Sequence, residues 1–338
     1  MERDEARCTD PFGREGCPRL GLSLMLAVAL LARLAVVLSD PYGIAGPDAG
    51  EWASTAEHIR SEGEFPRHRG SPTLPYPLYP LLLAGTLSLG HDTGILVAKL
   101  LNVAAGVLAA FLACRIAGRF ASARVATFAG WAVALHPALV HYAGALSTDS
   151  IFVPLLLGVL LGAARLLERP TAGRGAALGV LMALAALQRP SSAAASAVIA
   201  VVVAVALLVR AFSNWRALLA ATAAAVLVLA PWGTYLTVRF GEPILLSDAW
   251  GYAYWDGHHP INARVDDVED PAERGRLSAE KHEEMRRIGA SARARGLSPI
   301  ETARTYRAAA EEHIAAGRVS RAGATASNLT HLLAFWPN

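Results

Sequence analysis

The sequence predicts an all-α protein, a polytopic transmembrane helical bundle with short juxtamembrane helices in an outer-face loop and a C-terminal helical extracytoplasmic segment. Composition is the first reason, because only 17% of the 338 residues are charged and 54% are hydrophobic, whereas roughly 25% are charged in soluble domains. The second reason is a series of long apolar runs, and the third is the alternation along the chain of short Arg-rich loops with loops in which Arg is sparse. The net charge of +3 is too small to indicate a nucleic-acid partner.

The apolar runs are long enough, or nearly so, to cross a hydrocarbon core about 30 Å thick. The first follows a polar tail, residues 1–19, and we expect a span rather than a cleaved signal peptide because no small-residue cleavage site follows it. The run 77–90 is short and opens with prolines, which favours an interfacial or partly re-entrant piece. The predicted spans are 20–38, 95–114, 125–143, 151–167, 175–188, 191–209 and 217–237.

The fifth and sixth of these runs are separated only by "QRP". A single helix through both would be about 50 Å long at 1.5 Å per residue. We therefore predict a tight hairpin, with Arg189 in its turn.

Arginines in the short loops predict the orientation, since cytoplasmic loops carry an excess of Lys and Arg. With the Arg-rich loops inside, residues 1–19 form a cytoplasmic tail, 20–237 form the membrane core, and 238–338 are extracytoplasmic. The first outer loop then covers 39–92, and the segments 144–150 and 188–191 lie on the same outer face. The arginines that set this orientation are Arg115, Arg119, Arg124, Arg165, Arg169, Arg174, Arg210 and Arg216.

The C-terminal segment is mostly polar and is expected to be helical near 271–295 and 298–316. The second of these helices has a capping box, with Ser298 as N-cap, Pro299 at the first helical position and Glu301 two residues later.

The first outer loop contains the acidic stretch "GPDAGEW". Asp48 as N-cap and Glu51 at the third helical position form a capping-box pattern, which predicts a helix to about Arg60. A carboxylate at such a helix start is also held at the bilayer surface, where a base acting on a lipid-linked substrate must lie.

Other charged residues are predicted on the same outer face. Asp149 opens the fourth span, either as a helix cap or as a functional acid. Arg189 is the lone cation between two apolar runs and could snorkel or take part in function. Arg67 and Arg69 precede the proline-rich stretch and could bind any lipid phosphate.

Taken in order, "PDAGEWASTAEHIRSEG", "SPTLPYPLYPLLLAG", "LHPALVHYAGALSTDSIFVPLLLG", "GVLMALAALQRPSS" and "LAPWGTYLTVRFGEPILLSDAWGYAYWDGHHP" resemble the bacterial C-type integral membrane glycosyltransferases. Within that group, the stretches are similar to those of the relatives of protein O-mannosyltransferases and of the aminoarabinose transferase of lipid A. The likeness covers roughly residues 20 to 262. Because members usually continue through further spans, it also implies that the chain is a fragment or a short variant.

The resemblance implies inverting transfer of a sugar from a polyprenyl-phosphate donor to a glycan, lipid or protein acceptor. The reaction would take place at the outer face of the bacterial cytoplasmic (inner) membrane. Asp48 would be the catalytic base that takes the acceptor proton, Glu51 could share or take over that role, and Asp149 would be the second acid. Arg69 and Arg189, with Arg67, would meet the donor phosphate, for which guanidinium groups are suited. No cofactor is implied, and a divalent metal stays open because two acids form no recognisable ligand set.

Two alternatives remain open. A lipid-linked oligosaccharide ligase or polymerase of similar architecture would have the same residues. A non-enzymatic transporter or scaffold is the other, although a transporter is expected to carry ionisable residues in the middle of its spans. Arg33 and Lys99 are predicted near span ends, which favours the enzyme.

Overall fold

The computed structural model describes residues 19–46, 48–66, 76–189, 192–210, 214–266, 268 and 270–320. Within these ranges the backbone forms fourteen α-helices, one 3-10 turn (Tyr142–Gly144) and no strand, which confirms the all-α class. The helices are α1 (Arg19–Ser39), α2 (Ala49–Glu62), α3 (Leu78–Leu87), α4 (His91–Phe120), α5 (Ala123–Ala134), α6 (Pro137–His141), α7 (Asp149–Glu168), α8 (Ala172–Gln188), α9 (Ser192–Arg210), α10 (Trp215–Phe240), α11 (Ala249–Gly257), α12 (Pro260–Asp266), α13 (Pro271–Ala294) and α14 (Pro299–Ala315).

The helices belong to two compact units. The described part of unit 1 comprises residues 19–65 and 76–232, and that of unit 2 comprises Pro66 and the described residues from Gly233 onward. The division falls inside α10, a few residues before the predicted end of the membrane core at 237.

Helix length and hydropathy identify a multi-pass membrane protein. In the described chain four helices are long and apolar enough to span, namely α1, α4, α7 and α10, and α5 with α6 makes a fifth if the bent pair is one span. All seven predicted runs are helical, but α8 and the apolar part of α9 are each shorter than the 18 residues taken as the minimum for a span. Helix α3 has only 10 residues, in agreement with the prediction of a short piece rather than a span.

The predicted span 125–143 is broken. Helix α5 ends at Ala134, three residues before Pro137, because the residue before a proline disfavours helical backbone, and the two segments meet at 52°. The fully buried Arg33 donates to the carbonyl oxygens of Ala134 at 2.8 Å and Val133 at 3.2 Å. Arg33 was predicted near a span end, and this position was taken to favour an enzyme over a transporter. Its side chain instead lies inside the bundle, where it donates to carbonyl oxygens that the break between α5 and α6 leaves without a helical partner.

Helix α8 has close neighbours on two sides. It forms the predicted hairpin with α9, and the N–H of Ser192 donates to the carbonyl of Arg189 at 2.9 Å. It also packs directly against the backbone of α10. A Cβ on Gly175 would lie 2.0 Å from the carbonyl oxygen of Ala217, and one on Gly179 would lie 2.0 Å from that of Ala221. This "GAALG" stretch is the small-xxx-small pattern that permits close approach of membrane helices.

Side-chain contacts assign the helix ends of unit 1 to two opposite ends of the bundle. At one end, which we call the arginine end, Arg119 of α4 forms an ion pair with Glu168 of α7. Arg174 of α8 donates there to the carbonyl of Arg165 at 2.7 Å. At the other end, which we call the acidic end, the start of α7 meets the end of α8. The arginine-rich loops around α4, α7 and α8 thus share one end, as the alternation in the sequence predicted.

Unit 2 is helical and has its own core. Trp255 of α11 is fully buried and its ring lies 5.7 Å from that of Tyr306 of α14. The crossing is close, since a Cβ on Gly251 would lie 1.9 Å from the carbonyl oxygen of Ala303. The predicted charged helices correspond to α13 and α14, and the capping box at Ser298 is confirmed.

Candidate functional site

The acidic end is built around the turn of residues 145–149, which precedes and begins α7. The buried side-chain amides of two residues on neighbouring helices hold it in place by hydrogen bonds. Asn102 of α4 donates to the carbonyl of Ala145 at 2.8 Å, and Gln188 of α8 donates to the carbonyl of Thr148 at 2.8 Å. The turn is therefore fixed on both sides by polar side chains within an otherwise apolar bundle.

Unsatisfied polar atoms gather around the same turn. Asn102 Oδ1, Gln188 Oε1 and the Tyr79 hydroxyl are buried and lack a hydrogen-bond partner among the described residues. The Tyr79 hydroxyl lies near the Asn102 side chain and the Ser147 backbone, but without hydrogen-bond geometry. Since buried polar groups are nearly always hydrogen-bonded, three such atoms around one turn mark a place for ordered water or a polar ligand.

Asp149 and Arg189 form an ion pair at this end. Asp149 is the first residue of α7 rather than its N-cap, and its N–H donates to the Ser147 hydroxyl at 3.2 Å. Arg189 follows directly on α8, and its guanidinium lies 5.7 Å from the centre of the Phe152 ring. Both side chains are partly exposed, 30% and 41% respectively, so a ligand can reach the pair. The sequence predicted the two residues on one face but did not predict their contact.

The first outer loop lies against the same turn. The N–H of Leu146 donates to the carbonyl of Ala45 at 3.0 Å, so Asp48 and Asp149 each follow this hydrogen bond by three residues. Asp48 is at the N-cap position of α2, is exposed, and makes no capping hydrogen bond with its side chain. The predicted helix start is therefore confirmed, while the predicted capping box is wrong.

The remaining candidates differ in their placement. Glu51 is exposed in the first turn of α2. Arg67 and Arg69 lie outside the described residues.

Lys99 was predicted near a span end and was given no part in the site. It is fully buried and its Nζ donates to the backbone carbonyl of Asp40, which ties α4 to the end of α1. A lysine in the apolar run "LVAKLLNV" three residues before Asn102 was the available signal. Both side chains lie on the face of α4 that supports the acidic end.

One cluster in unit 2 was not predicted at all. His259, Glu284 and His313 each offer a ligand atom, and these atoms lie within 4.8 Å of one another. Two imidazoles and a carboxylate are ligands that Zn²⁺ accepts. However, His259 Nδ1 accepts the N–H of Ile261 at 3.2 Å, so Nε2 carries the proton and donates to Glu284 at 3.2 Å. A metal would have to displace that proton, and Nδ1–H would then face another donor.

The hydrogen bonds therefore favour a structural triad. Both oxygens of Glu284 are used, since His313 Nε2 contacts the second at 3.1 Å. Burial lowers the pKa of His259 and outweighs the effect of Glu284, which raises it. Burial alone would raise the pKa of Glu284, but the hydrogen bonds from the two histidines hold it below its ordinary value. The three residues are far apart in sequence, so their spacing gave no signal.

The chain matches no protein-family model, no curated protein and no solved structure.

Proposed function

We propose that the protein is a membrane glycosyltransferase that takes a sugar from a polyprenyl-phosphate donor at the acidic end of unit 1, with this end on the outer side of the bacterial inner membrane. The observation that carries the proposal is the hydrogen bond between Ala45 and Leu146, because it joins the loop of Asp48 to the turn of Asp149. A carboxylate pair, a guanidinium and unsatisfied polar atoms then share one end of an apolar bundle.

Asp48 is the proposed general base. Its carboxylate is exposed and does not cap its helix, so it can accept the proton of an acceptor hydroxyl as the oxygen attacks the anomeric carbon. The bond from that carbon to the phosphate oxygen breaks in the same step, and the electron pair leaves with the lipid phosphate. Attack from the opposite side inverts the anomeric centre.

Arg189 is the proposed donor-phosphate ligand. A guanidinium has five N–H donors, so one edge can hold Asp149 while another meets a phosphate oxygen. The charge on that oxygen increases as the glycosidic bond breaks, and a positioned cation stabilises it more in the transition state than in the ground state. Asp149 orients Arg189 in this proposal, and Arg67 and Arg69 remain proposed contributors to phosphate binding.

The proposal is tested by supplying membranes with radiolabelled polyprenyl-phosphate sugars and following the label into product. Asp48→Asn should abolish transfer, whereas Asp92→Asn should leave it unchanged, because Asp92 is an exposed acid in the first turn of α4 outside the proposed site. Full turnover by Asp48→Asn would remove it as the base, and Glu51→Gln would then be tested. The length of the labelled glycan separates a monosaccharide transferase from an oligosaccharide ligase or polymerase.

Arg189→Ala gives an independent test. It should raise the apparent KM for the donor more than that for the acceptor. An unchanged donor KM would leave Arg189 as a partner of Asp149 only.

A transporter is the second candidate, and the break between α5 and α6 favours it. Broken helices and buried ionisable residues are typical of transporter sites, and Arg33 combines the two. Uptake of labelled sugar phosphate into proteoliposomes, lost in Arg33→Gln and retained in Asp48→Asn, would support transport over transfer.

A further inference from the structure

An apolar groove follows α4, α7 and α8 toward the arginine end of unit 1. Its volume is about 790 Å³. Along α7 it is lined from Ile151 to Arg165 by residues on one helix face, a length of about 21 Å at 1.5 Å per residue. Half of a hydrocarbon core is about 15 Å, so the groove is long enough for a lipid chain from one leaflet.

Four arginines from the three helices line the same groove: Arg115, Arg119, Arg165 and Arg174. Glu168 is ion-paired with Arg119, and Arg165 experiences the positive charge of the other three arginines together with the negative charge of Glu168. The groove therefore combines an apolar length with an excess of positive charge at one end.

We propose that this groove binds an anionic phospholipid, with the phosphate among the arginines and an acyl chain along α4 and α7. A phosphate would relieve the repulsion between neighbouring guanidinium groups and would accept paired N–H donors from them. Basic pockets between membrane helices are suited to anionic headgroups, whereas a zwitterionic lipid supplies no net charge to balance the arginines.

The phosphate-binding end of this groove is separate from the proposed donor site. Asp149 and Arg165 are sixteen residues apart on α7, which is about 24 Å along the helix. The lipid phosphate would thus lie at the opposite end of the bundle from Asp149, and its binding does not depend on glycosyl transfer.

The test is lipid binding to the full chain in a neutral detergent, measured by native mass spectrometry with phosphatidylglycerol and phosphatidylcholine. The wild type should bind phosphatidylglycerol at least tenfold more tightly than phosphatidylcholine. The double variant Arg115→Gln with Arg165→Gln should weaken phosphatidylglycerol about 25-fold, at about 1 kcal/mol per arginine. Its matched control is Arg124→Gln with Arg216→Gln, two exposed arginines outside the groove lining, and it should bind as the wild type does.

A second variant tests the apolar part without changing charge. Leu108→Trp narrows the groove at a half-exposed lining residue of α4 and should weaken phosphatidylglycerol. Leu101→Trp, similarly exposed on α4 but outside the lining, should not. Thermal unfolding without added lipid checks that each variant is folded.

Three results would overturn the proposal. The first is equal affinity for the two phospholipids. The second is an effect of the groove arginines that is no larger than that of the control pair. The third is displacement of phosphatidylglycerol by polyprenyl phosphate at one tenth of the phosphatidylglycerol concentration, in both the wild type and the double variant. The last result would assign the groove to the chain of the donor.

Discussion

The approach of α8 to α10 makes a quantitative prediction about stability. Substitution of Gly175 or Gly179 by Ala places a Cβ 2.0 Å from a backbone carbonyl oxygen of α10. Side-chain carbons do not approach closer than 3.0 Å, so the helices must separate by about 1 Å, and overpacking of this kind costs about 1–3 kcal/mol. Ala gains about 0.5–1 kcal/mol over Gly in a helix, so the net loss for each substitution is at most about 2.5 kcal/mol, with a central value near 1 kcal/mol.

The double variant should lose less than the sum. Once the helices have separated for one Cβ, the second meets a more distant oxygen, and neighbouring substitutions on one interface are not additive. Reversible unfolding in mixed micelles with increasing sodium dodecyl sulfate, followed by tryptophan fluorescence, measures these differences.

The matched control is Gly173→Ala in the same helix. A Cβ at Gly173 meets nothing within 4 Å, so this variant should be as stable as the wild type or slightly more stable. If Gly175→Ala and Gly179→Ala unfold at the same denaturant fraction as Gly173→Ala, the backbone contact between α8 and α10 does not exist and the reasoning fails.

Three further predictions concern other parts of the chain. Gln188→Leu keeps the side-chain volume but removes one of the two donors to the buried Thr148 carbonyl, which keeps the N–H of Phe152 at 3.0 Å, and should cost about 0.5–1.5 kcal/mol in the same unfolding assay; no loss would show that the amide does not hold the turn. Gly251→Ala should loosen the crossing of α11 and α14 and speed limited proteolysis of unit 2, whereas Gly275→Ala, with open space around it, should not. Because burial lowers the pKa of His259, the folded chain binds fewer protons there than the unfolded chain between the folded pKa and about 6.5, so stability should fall as pH drops below about 6.5, and His259→Asn should show a smaller acid-induced loss.

The helices of this protein were largely predictable because their signals are local. An apolar run is recognised from neighbouring residues, and the Ser298 capping box lies within four residues, so these predictions were confirmed. The Asp48 capping box failed despite the same pattern, since a cap also depends on side-chain orientation. Span length failed in part, because the break before Pro137 and the short α8 interrupt continuous apolar segments.

The site was predictable only as a set of residue types. Sequence order indicated acids and an arginine on one face, but the pair formed by Asp149 and Arg189 depends on how α7 and α8 meet. The buried position of Lys99 and the amide contacts of Asn102 likewise depend on which face of α4 turns inward. None of these contacts has a sequence spacing that identifies it.

The sequence by itself determined that this is an all-α, multi-pass membrane protein and where its helices lie. The reason is that hydrophobicity, charge and capping act over a few residues and over the thickness of a membrane. Only the tertiary structure decided which polar groups share an environment. Contacts between residues some forty to one hundred apart, such as Gln188 with Thr148 and Arg33 with Ala134, arise from helix packing. Their geometry is fixed by close approach at glycines and by the need to satisfy buried polar atoms, and a linear pattern records neither.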